Sequence, residues 1–202
     1  MASETVHNAG YVRGIQWIIG LMPLHYPTPE LRSDRVLLRE WTMDDLACVE
    51  GASRAGYSRG TTIPVHYTED EGRAWIGRQW SRQTSGQGLS LAIADPSKAE
   101  AIGLVYLGLK GIEGHCELGY WLIPEVHRQG LGTAAVRLVS QWVLHDTDVY
   151  RVVAHVEPAN TASIALLRKC GFTEEGLLRS YLPFDDGVFD ALSFSLLISD
   201  LP

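Results

Sequence analysis

The chain has 202 residues, of which 46% are hydrophobic and 20% charged, the composition of a globular domain and not of a disordered one. Its net charge of −7 argues against a nucleic-acid-binding protein, which would carry a basic surface, and is compatible with a cationic substrate. Cys48, Cys116 and Cys170 cannot all pair in disulfides, so we expect a reducing, cytoplasmic compartment. Their spacing is not that of metal ligands, so we expect no metal site.

Residues 1–30 differ in composition from the rest of the chain, since they carry few charges and end in a proline-rich stretch. Apolar residues between Val12 and Met22 recur at helical spacing, which predicts one short amphipathic helix. The apolar run 15–24 is too short to span a bilayer and lacks a basic segment before it, so we expect neither a membrane span nor a signal peptide. We predict an N-terminal extension over 1–30 that packs on its own domain, with a dimer arm or an acceptor-site lid as alternatives.

From residue 31 onward the pattern alternates between strand and helix. The predicted strands cover residues 35–40, 88–94, 101–109, 117–123, 150–156, 172–177 and 188–198, with a turn at 183–187. Helices are predicted to begin after Thr42 and Thr68, at capping patterns, and to cover 131–145 and 161–169. The helix over 131–145 is expected to bury the stripe Ala135, Leu138, Val139, Trp142 and Val143. This order predicts an α/β (α+β) fold in which helices cover a mixed sheet.

The segment Glu125–Ala134 carries the most specific chemistry. A strand ends at Pro124, a turn with Gly130 and Gly132 follows, and a helix then begins. Glycine has no Cβ, so the backbone of such a turn can approach a ligand closely. The first N–H groups of a helix lack intrahelical partners, and together with the helix dipole they favour an anion, typically phosphate. Arg128 adds a positive charge beside this predicted phosphate site.

Two common nucleotide sites are disfavoured at this turn. The pattern G-x-x-x-x-G-K-[ST] is absent, which argues against hydrolysis of nucleoside triphosphates. A dinucleotide site requires a second strand with an acidic residue about 20 residues further on. Here a long helix follows the turn and the acidic residues Asp146 and Asp148 have no strand, so nicotinamide binding is also disfavoured.

The segment Glu157–Phe172 predicts a helix with Asn160 as its N-cap and Ser163 in its first turn. Together with His127–Ala134 it resembles the GNAT superfamily of acetyl-CoA-dependent N-acetyltransferases. Four further segments resemble the branch of that superfamily that acetylates ribosomal protein N-termini: Arg35–Asp45, Cys116–Pro124, Glu174–Arg179 and Gly187–Asp190. The resemblance covers about residues 31–199, which makes 31–202 the expected acetyltransferase domain, with a GNAT-type mixed, splayed sheet flanked by helices.

The resemblance implies a binding site for acetyl-CoA as cosubstrate. The family pattern [QR]-x-x-G-x-[GA] falls on residues 127–132, with His127 in place of the usual Gln or Arg, and its backbone N–H groups would hold the pyrophosphate. The strand at 121–123 would pair with the pantetheine arm, and Asn160 would hydrogen-bond it, unless this residue only caps its helix. The implied cofactor-binding residues are Trp121, Leu122, Ile123, Arg128, Gln129, Gly130, Leu131, Gly132, Thr133 and Asn160.

The resemblance also implies two catalytic residues. Many members carry a Tyr seven residues after the Asn as general acid, but this chain has Leu167 there, so Ser163 is expected to protonate the leaving thiolate. Glu117 matches a Glu of the ribosomal branch proposed to act as general base through water, and His115, on the same strand face, is the reserve base. A covalent route through Cys116 or Cys170 is disfavoured.

The expected reaction is transfer of an acetyl group to a primary amine by direct attack. The acceptor is expected to be a peptide N-terminus or a small molecule, and the acidic pair Asp185–Asp186 favours one that is cationic. An amine-antibiotic resistance enzyme and a non-catalytic acyl-CoA sensor are the alternatives. A sensor would need neither Glu117 nor Ser163, so these two residues favour an enzyme.

Overall fold

The computed structural model describes residues 24–109 and 111–201, so the helix predicted between Val12 and Met22 lies outside the described residues. The described chain forms eight strands in one mixed sheet, together with four α-helices. The strands are β1 (Leu31–Arg32), β2 (Leu37–Arg39), β3 (Gly88–Ala94), β4 (Ala101–Gly108), β5 (His115–Leu122), β6 (Arg151–Val156), β7 (Thr173–Phe184) and β8 (Gly187–Leu197). The helices are α1 (Leu46–Arg54), α2 (Glu69–Thr84), α3 (Leu131–Asp146) and α4 (Thr161–Lys169).

The sheet order is β1-β2-β3-β4-β5-β6-β8-β7. Every neighbouring pair is antiparallel except β5 and β6, which are parallel. That parallel ladder joins only three residue pairs, His115 to Arg151 at one end and Glu117 to Val153 at the other. Beyond these pairs the two strands diverge. The predicted mixed, splayed sheet flanked by helices is therefore confirmed.

The two faces of the sheet carry separate cores because successive strand residues point to opposite sides. Leu91 on β3 belongs to the larger core with Val139 of α3 and Leu167 of α4, and all three are fully buried. Ala92, the next residue along β3, belongs to the smaller core with Trp75 of α2. The sheet thus lies between an α3–α4 layer and an α1–α2 layer.

The predicted helix starts are present in the structure. The Thr68 hydroxyl accepts a hydrogen bond from the Glu71 N–H at 3.2 Å, and α2 begins there as expected. The Asp45 carboxylate accepts one from the Thr42 N–H at 2.8 Å, and what begins after Thr42 is a short 3₁₀ helix, Met43–Asp45, that leads into α1 at Leu46. Asp45 also binds Arg39 with two hydrogen bonds of 2.7 and 2.8 Å, so this buried ion pair joins β2 to the start of α1.

The predicted extension reaches the core at its C-terminal end. Leu24 is buried in the larger core and Tyr26 packs against it. The boundary between residues 30 and 31 stays a prediction.

The buried face of α3 differs from the predicted stripe. Val136, Val139 and Val143 are fully buried, whereas Leu138 and Trp142 are only partly buried at the edge of the larger core. The prediction was wrong about Leu138 and Trp142 because it placed the apolar stripe about one residue too early along α3. Val136, Val139 and Val143 take the fully buried positions in the larger core.

Strand β7 is longer than predicted. It runs from Thr173 to Phe184, so the last turn contains only Asp185 and Asp186, and the predicted strand end at 177 was wrong. The pairing with β8 shifts in register between Leu178 and Leu182, where Ser180 has a φ of +50°. This irregularity breaks the period-two pattern on which strand prediction depends.

The difference between core and edge positions can be tested by substitution. Phe194 on β8 is fully buried in the larger core, so Phe194→Ala should lower the free energy of unfolding by about 3–5 kcal/mol. Trp142→Ala should cost clearly less, since the Trp142 ring is only partly buried. Urea unfolding of the two variants measures both values. Equal losses would show that Trp142 belongs to the core after all.

Candidate functional site

The site lies where β5 and β6 separate. From Leu118 to Leu122, β5 is paired to β4 on one side, but its ladder to β6 has already ended at Glu117. Backbone N–H and C=O groups on that side of β5 therefore face a gap, although such groups require hydrogen-bond partners. A cavity of about 760 Å³ opens at this gap, lined by parts of β4, β5, β6, α2, α4 and the β7–β8 hairpin.

The glycine turn lies beside this gap, at the start of α3. Gly130 is the N-cap with a φ of +77°, no side chain caps the helix, and its first turn contains no acidic residue. The first N–H groups and the positive end of the helix dipole are therefore available to an anion. Arg128 is exposed two residues earlier, and Arg35 fixes the turn from the side of β2 by donating to the Gln129 carbonyl at 2.5 Å.

The two glycines of this turn serve different purposes. At Gly130 the backbone requires a residue that adopts a positive φ, and a Cβ there would meet the Arg35 Nη2 at an ordinary contact distance of 3.9 Å. A Cβ at Gly132 would lie 2.9 Å from Leu166 Cδ1 and 3.5 Å from Leu122 Cδ1. Gly132 thus lets α3 pack closely on α4 and β5, a role that the sequence did not indicate.

Asn160 and Ser163 both line the cavity from the start of α4. The Asn160 Oδ1 accepts from the Ser163 N–H at 3.1 Å, so it caps the helix, and its Nδ2 is the group that could bind a ligand. The Ser163 Oγ lies 2.6 Å from the Tyr120 Oη. Burial raises the pKa of Tyr120 to about 12, so this phenol stays protonated at neutral pH. Leu167, at the position of the usual family tyrosine, is fully buried in the core.

Glu117 lines the same cavity from β5, and its side chain is 47% exposed. Its Oε1 lies 3.5 Å from Nδ1 of His155, which is on β6 and stacks on Tyr181 with ring centroids 4.5 Å apart. The sequence did not indicate His155 as a site residue. The register of Glu117 opposite Val153 brings the pair together, and no local pattern shows that register.

His115, the alternative general base in the sequence-based prediction, does not line the cavity. It lies at the start of β5 and meets Tyr150 edge to face, with ring centroids 5.4 Å apart. Burial and the nearby Arg151 guanidinium lower the pKa of His115. Although His115 shares a strand face with Glu117, it lies beside the closed part of the β5–β6 ladder and not beside the gap.

The cavity wall opposite the strands is held together by Arg59, from the loop after α1. Its guanidinium lies 2.6 Å from the Glu157 carboxylate and 3.0 Å from that of Asp186. It also stacks on Phe184 and Phe189 at 4.2 and 4.7 Å from the ring centroids. Because Asp186 is already paired with Arg59, the hairpin turn offers less negative charge to a cationic acceptor than the sequence predicts.

The three cysteines are unpaired and buried. Burial raises the pKa of Cys116 and raises that of Cys170 to about 11. Both are therefore thiols at neutral pH, whereas a nucleophilic cysteine must be a thiolate. In the described part of the chain, no helix is long and apolar enough to cross a membrane.

Residues 35–173 match the family described as acetyltransferase (GNAT) domain, so the chain belongs to this family and the resemblance seen in the sequence is confirmed. It is 31% identical over 116 residues to the probable N-acetyltransferase YjcK of Bacillus subtilis (strain 168), covering 56% of this chain and 64% of the relative. It is 28% identical over 114 residues to the [ribosomal protein uS5]-alanine N-acetyltransferase of Escherichia coli (strain K12), covering 54% and 59%.

The solved structure of Mycobacterium smegmatis RimJ in complex with CoA-disulfide is similar in fold. It has a TM-score of 0.73 and 25% sequence identity, over 83% of this chain and 84% of that chain. The match to each of the two curated relatives above spans less than two thirds of the length of that relative.

The special backbone at Gly130 gives a stability prediction with a matched control. Gly130→Ala places a Cβ on a residue with a φ of +77°, so it should lower the free energy of unfolding by about 1–2 kcal/mol. Gly77, within α2, has open space where a Cβ would be, so Gly77→Ala should raise stability by about 0.5–1 kcal/mol. Urea unfolding of both variants should give opposite signs. Equal effects would mean that the turn relaxes without strain.

Proposed function

We propose that the protein is an N-acetyltransferase that moves an acetyl group from acetyl-CoA to a primary amine by direct attack. The observation that carries this proposal is one cavity, at the gap between β5 and β6, that is lined by both Glu117 and Ser163. Membership in the acetyltransferase family and the CoA complex of the similar RimJ structure support it. A sensor without turnover would need neither side chain.

The residues around the gap fit acetyl-CoA, which would supply an activated acetyl thioester. The uncapped start of α3, with Arg128 beside it, suits a pyrophosphate because its backbone N–H groups are not used within the helix. The open edge of β5 after Glu117 can pair with an extended chain of amides as another strand would. At its end the Leu122 carbonyl lies 2.7 Å from His127 Nε2, and the Ile123 N–H already donates to the Ile102 carbonyl at 2.9 Å. Asn160 can donate from Nδ2, since only its Oδ1 is used as the cap.

Glu117 is proposed as the general base. An ammonium ion has no lone pair, so a proton must leave the acceptor nitrogen before or during its attack on the carbonyl carbon. The Glu117 carboxylate can take that proton through a water molecule. His155, 3.5 Å from Glu117 Oε1, helps to orient the carboxylate.

Ser163 is proposed as the general acid. Its hydroxyl would donate a proton to the sulfur atom as the thioester C–S bond breaks. The Tyr120 Oη, 2.6 Å away, can return a proton to the Ser163 oxygen and is restored from solvent. Proton removal and proton delivery are thus assigned to different side chains, and no cysteine takes part.

The acceptor class is proposed from the relatives. The name of the Escherichia coli relative refers to an alanine of ribosomal protein uS5, which supports a peptide N-terminus as acceptor for this chain. A small amine, including an amine antibiotic, is the alternative. We further propose a cytoplasmic protein, because its three cysteines are unpaired.

Thiol release with a panel of peptides, small amines and amine antibiotics tests the activity. Release that depends on an amine, with the product heavier by one acetyl group, is expected. Binding of CoA without amine-dependent release would favour the sensor.

Arg128→Gln should raise the KM for acetyl-CoA about tenfold through loss of one charged hydrogen bond. Arg54→Gln, at the end of α1, is the control and should leave that KM unchanged.

Variants at the two proton-transfer positions should differ in their pH dependence. Glu117→Gln should lower kcat about 10²–10⁴-fold near neutral pH because the base is lost. It should recover partly above about pH 8, where a peptide amine is largely neutral without help. Ser163→Ala should lose less activity and show no recovery, because water can protonate a thiolate. Parallel pH–rate profiles for wild type and Glu117→Gln would remove Glu117 from the base role.

A further inference from the structure

A second arginine lines the acceptor side of the cavity. Arg82 is in the last turn of α2, and its guanidinium carbon lies 4.7 Å from the centroid of the Tyr106 ring. Its Nε donates a hydrogen bond to the Gln79 Oε1 at 3.2 Å. The stacked face and Nε are therefore in use, and the guanidinium also interacts with the Tyr106 hydroxyl, so the remaining N–H groups of its terminal nitrogens are the donors left for a ligand.

Gln79 holds Arg82 in this orientation. The Gln79 side chain lines the cavity wall yet is only 1% exposed, and its Nε2 donates to the Trp75 carbonyl at 2.9 Å. A buried amide oxygen without a partner is costly, and the Arg82 Nε is the partner of this oxygen. The contact with Gln79 and the stacking on Tyr106 together fix a long side chain that would otherwise sample many rotamers.

Arg82 and Arg59 differ in whether their side-chain partners carry a charge. Arg59 is neutralised by two carboxylates, those of Glu157 and Asp186. In the part of the chain that the structure describes, the side-chain partners of Arg82 are Gln79 and Tyr106, and neither carries a charge. A guanidinium that is fixed in a cavity wall by uncharged groups is suited to bind an anion from a ligand, above all a carboxylate.

The distance to the proposed base limits the size of such a ligand. Tyr106 is opposite Gly119 in the β4–β5 ladder, and Glu117 is opposite Gly108. Tyr106 and Glu117 are therefore diagonal neighbours on one face of the sheet, a spacing of about 7–8 Å. An amine near Glu117 and a carboxylate near Arg82 can belong to one small molecule or to one or two residues of a peptide.

We propose that the acceptor is a primary amine that also carries a carboxylate, and that Arg82 binds this carboxylate. The inference rests on the proposed acetyltransferase function and narrows its substrate class. The carboxylate can come from a free amino acid or from an acidic residue next to a peptide N-terminus. In both cases Arg82 determines specificity, because it orients the substrate and takes no part in proton transfer.

Matched acceptor pairs test this proposal. The first pair is L-alanine and L-alaninamide, and the second is the peptide amides Ser-Glu-Ala-Ala and Ser-Gln-Ala-Ala. In the wild-type chain, kcat/KM from thiol release and Kd from calorimetry should favour the carboxylate member of at least one pair by about 10–100-fold at low salt. The pair that shows the preference identifies the source of the carboxylate.

Variants of Arg82 and Arg78, both on α2, distinguish a loss of acceptor specificity from a loss of structure. Arg82→Gln should remove the preference for the carboxylate and leave the KM for acetyl-CoA unchanged, and Arg82→Lys should retain part of the preference. Arg78→Gln, at an exposed position one turn earlier on α2, removes the same charge and should change neither value. Urea unfolding shows whether each variant is folded.

The failure of this inference is distinct from failure of the proposed function. Acetylation of amines with no preference for the carboxylate member in either pair, or with a preference that Arg82→Gln retains, overturns the role of Arg82 alone. A calorimetric preference that depends on Arg82, without acetylation of any amine, supports carboxylate binding and overturns the enzyme. No binding or acetylation of any carboxylate-bearing amine overturns this substrate class.

Discussion

The site depends on the early end of the hydrogen-bond ladder between β5 and β6. Only three residue pairs join these strands, yet each strand is held along its other edge, β5 by six pairs to β4 and β6 by six pairs to β8. The gap therefore stays open although it leaves backbone donors and acceptors of β5 without strand partners. Glu117 and His155 lie on the same two strands that form the gap, so the geometry of the sheet positions the proposed general base and its neighbour there.

Strand alternation divides that chemistry between the two faces of the sheet. Glu117 and Trp121 point towards the α1–α2 layer, whereas Tyr120 points towards α4 and reaches Ser163. In the proposed mechanism the amine loses a proton on one side of the reacting carbonyl and the sulfur gains one on the other. A gap that passes through the sheet gives both groups access to one reaction centre, as direct attack requires.

Prediction from the sequence succeeded where the deciding interactions are local. The bounds of β3 and α4 were predicted as observed, because turn residues, an Asn cap and a terminal glycine mark their ends. The site residues found only in the structure depend on contacts between distant segments. His155 meets Glu117 through strand register, and Arg59 meets Asp186 across 127 positions of sequence. Neither the hydrophobic periodicity nor the capping patterns of the sequence indicate such pairings.

This difference explains why the sequence indicates the family more clearly than the acceptor. The proposed acetyl-CoA contacts use backbone groups of the α3 turn and of β5, and the turn requires glycines at set positions, which leaves a motif in the sequence.

The proposed acceptor side is built from side chains. Trp41 and Trp75 meet edge to face at 4.9 Å, and Trp75 donates to the Thr62 hydroxyl at 3.0 Å, which braces α2 against the loop that carries Arg59. A rigid wall of this kind can present Arg82, or another residue at that position, without any change in the elements that define the family. In the proposed function, specificity for the acceptor would therefore depend on single side chains that distant segments of the chain bring together.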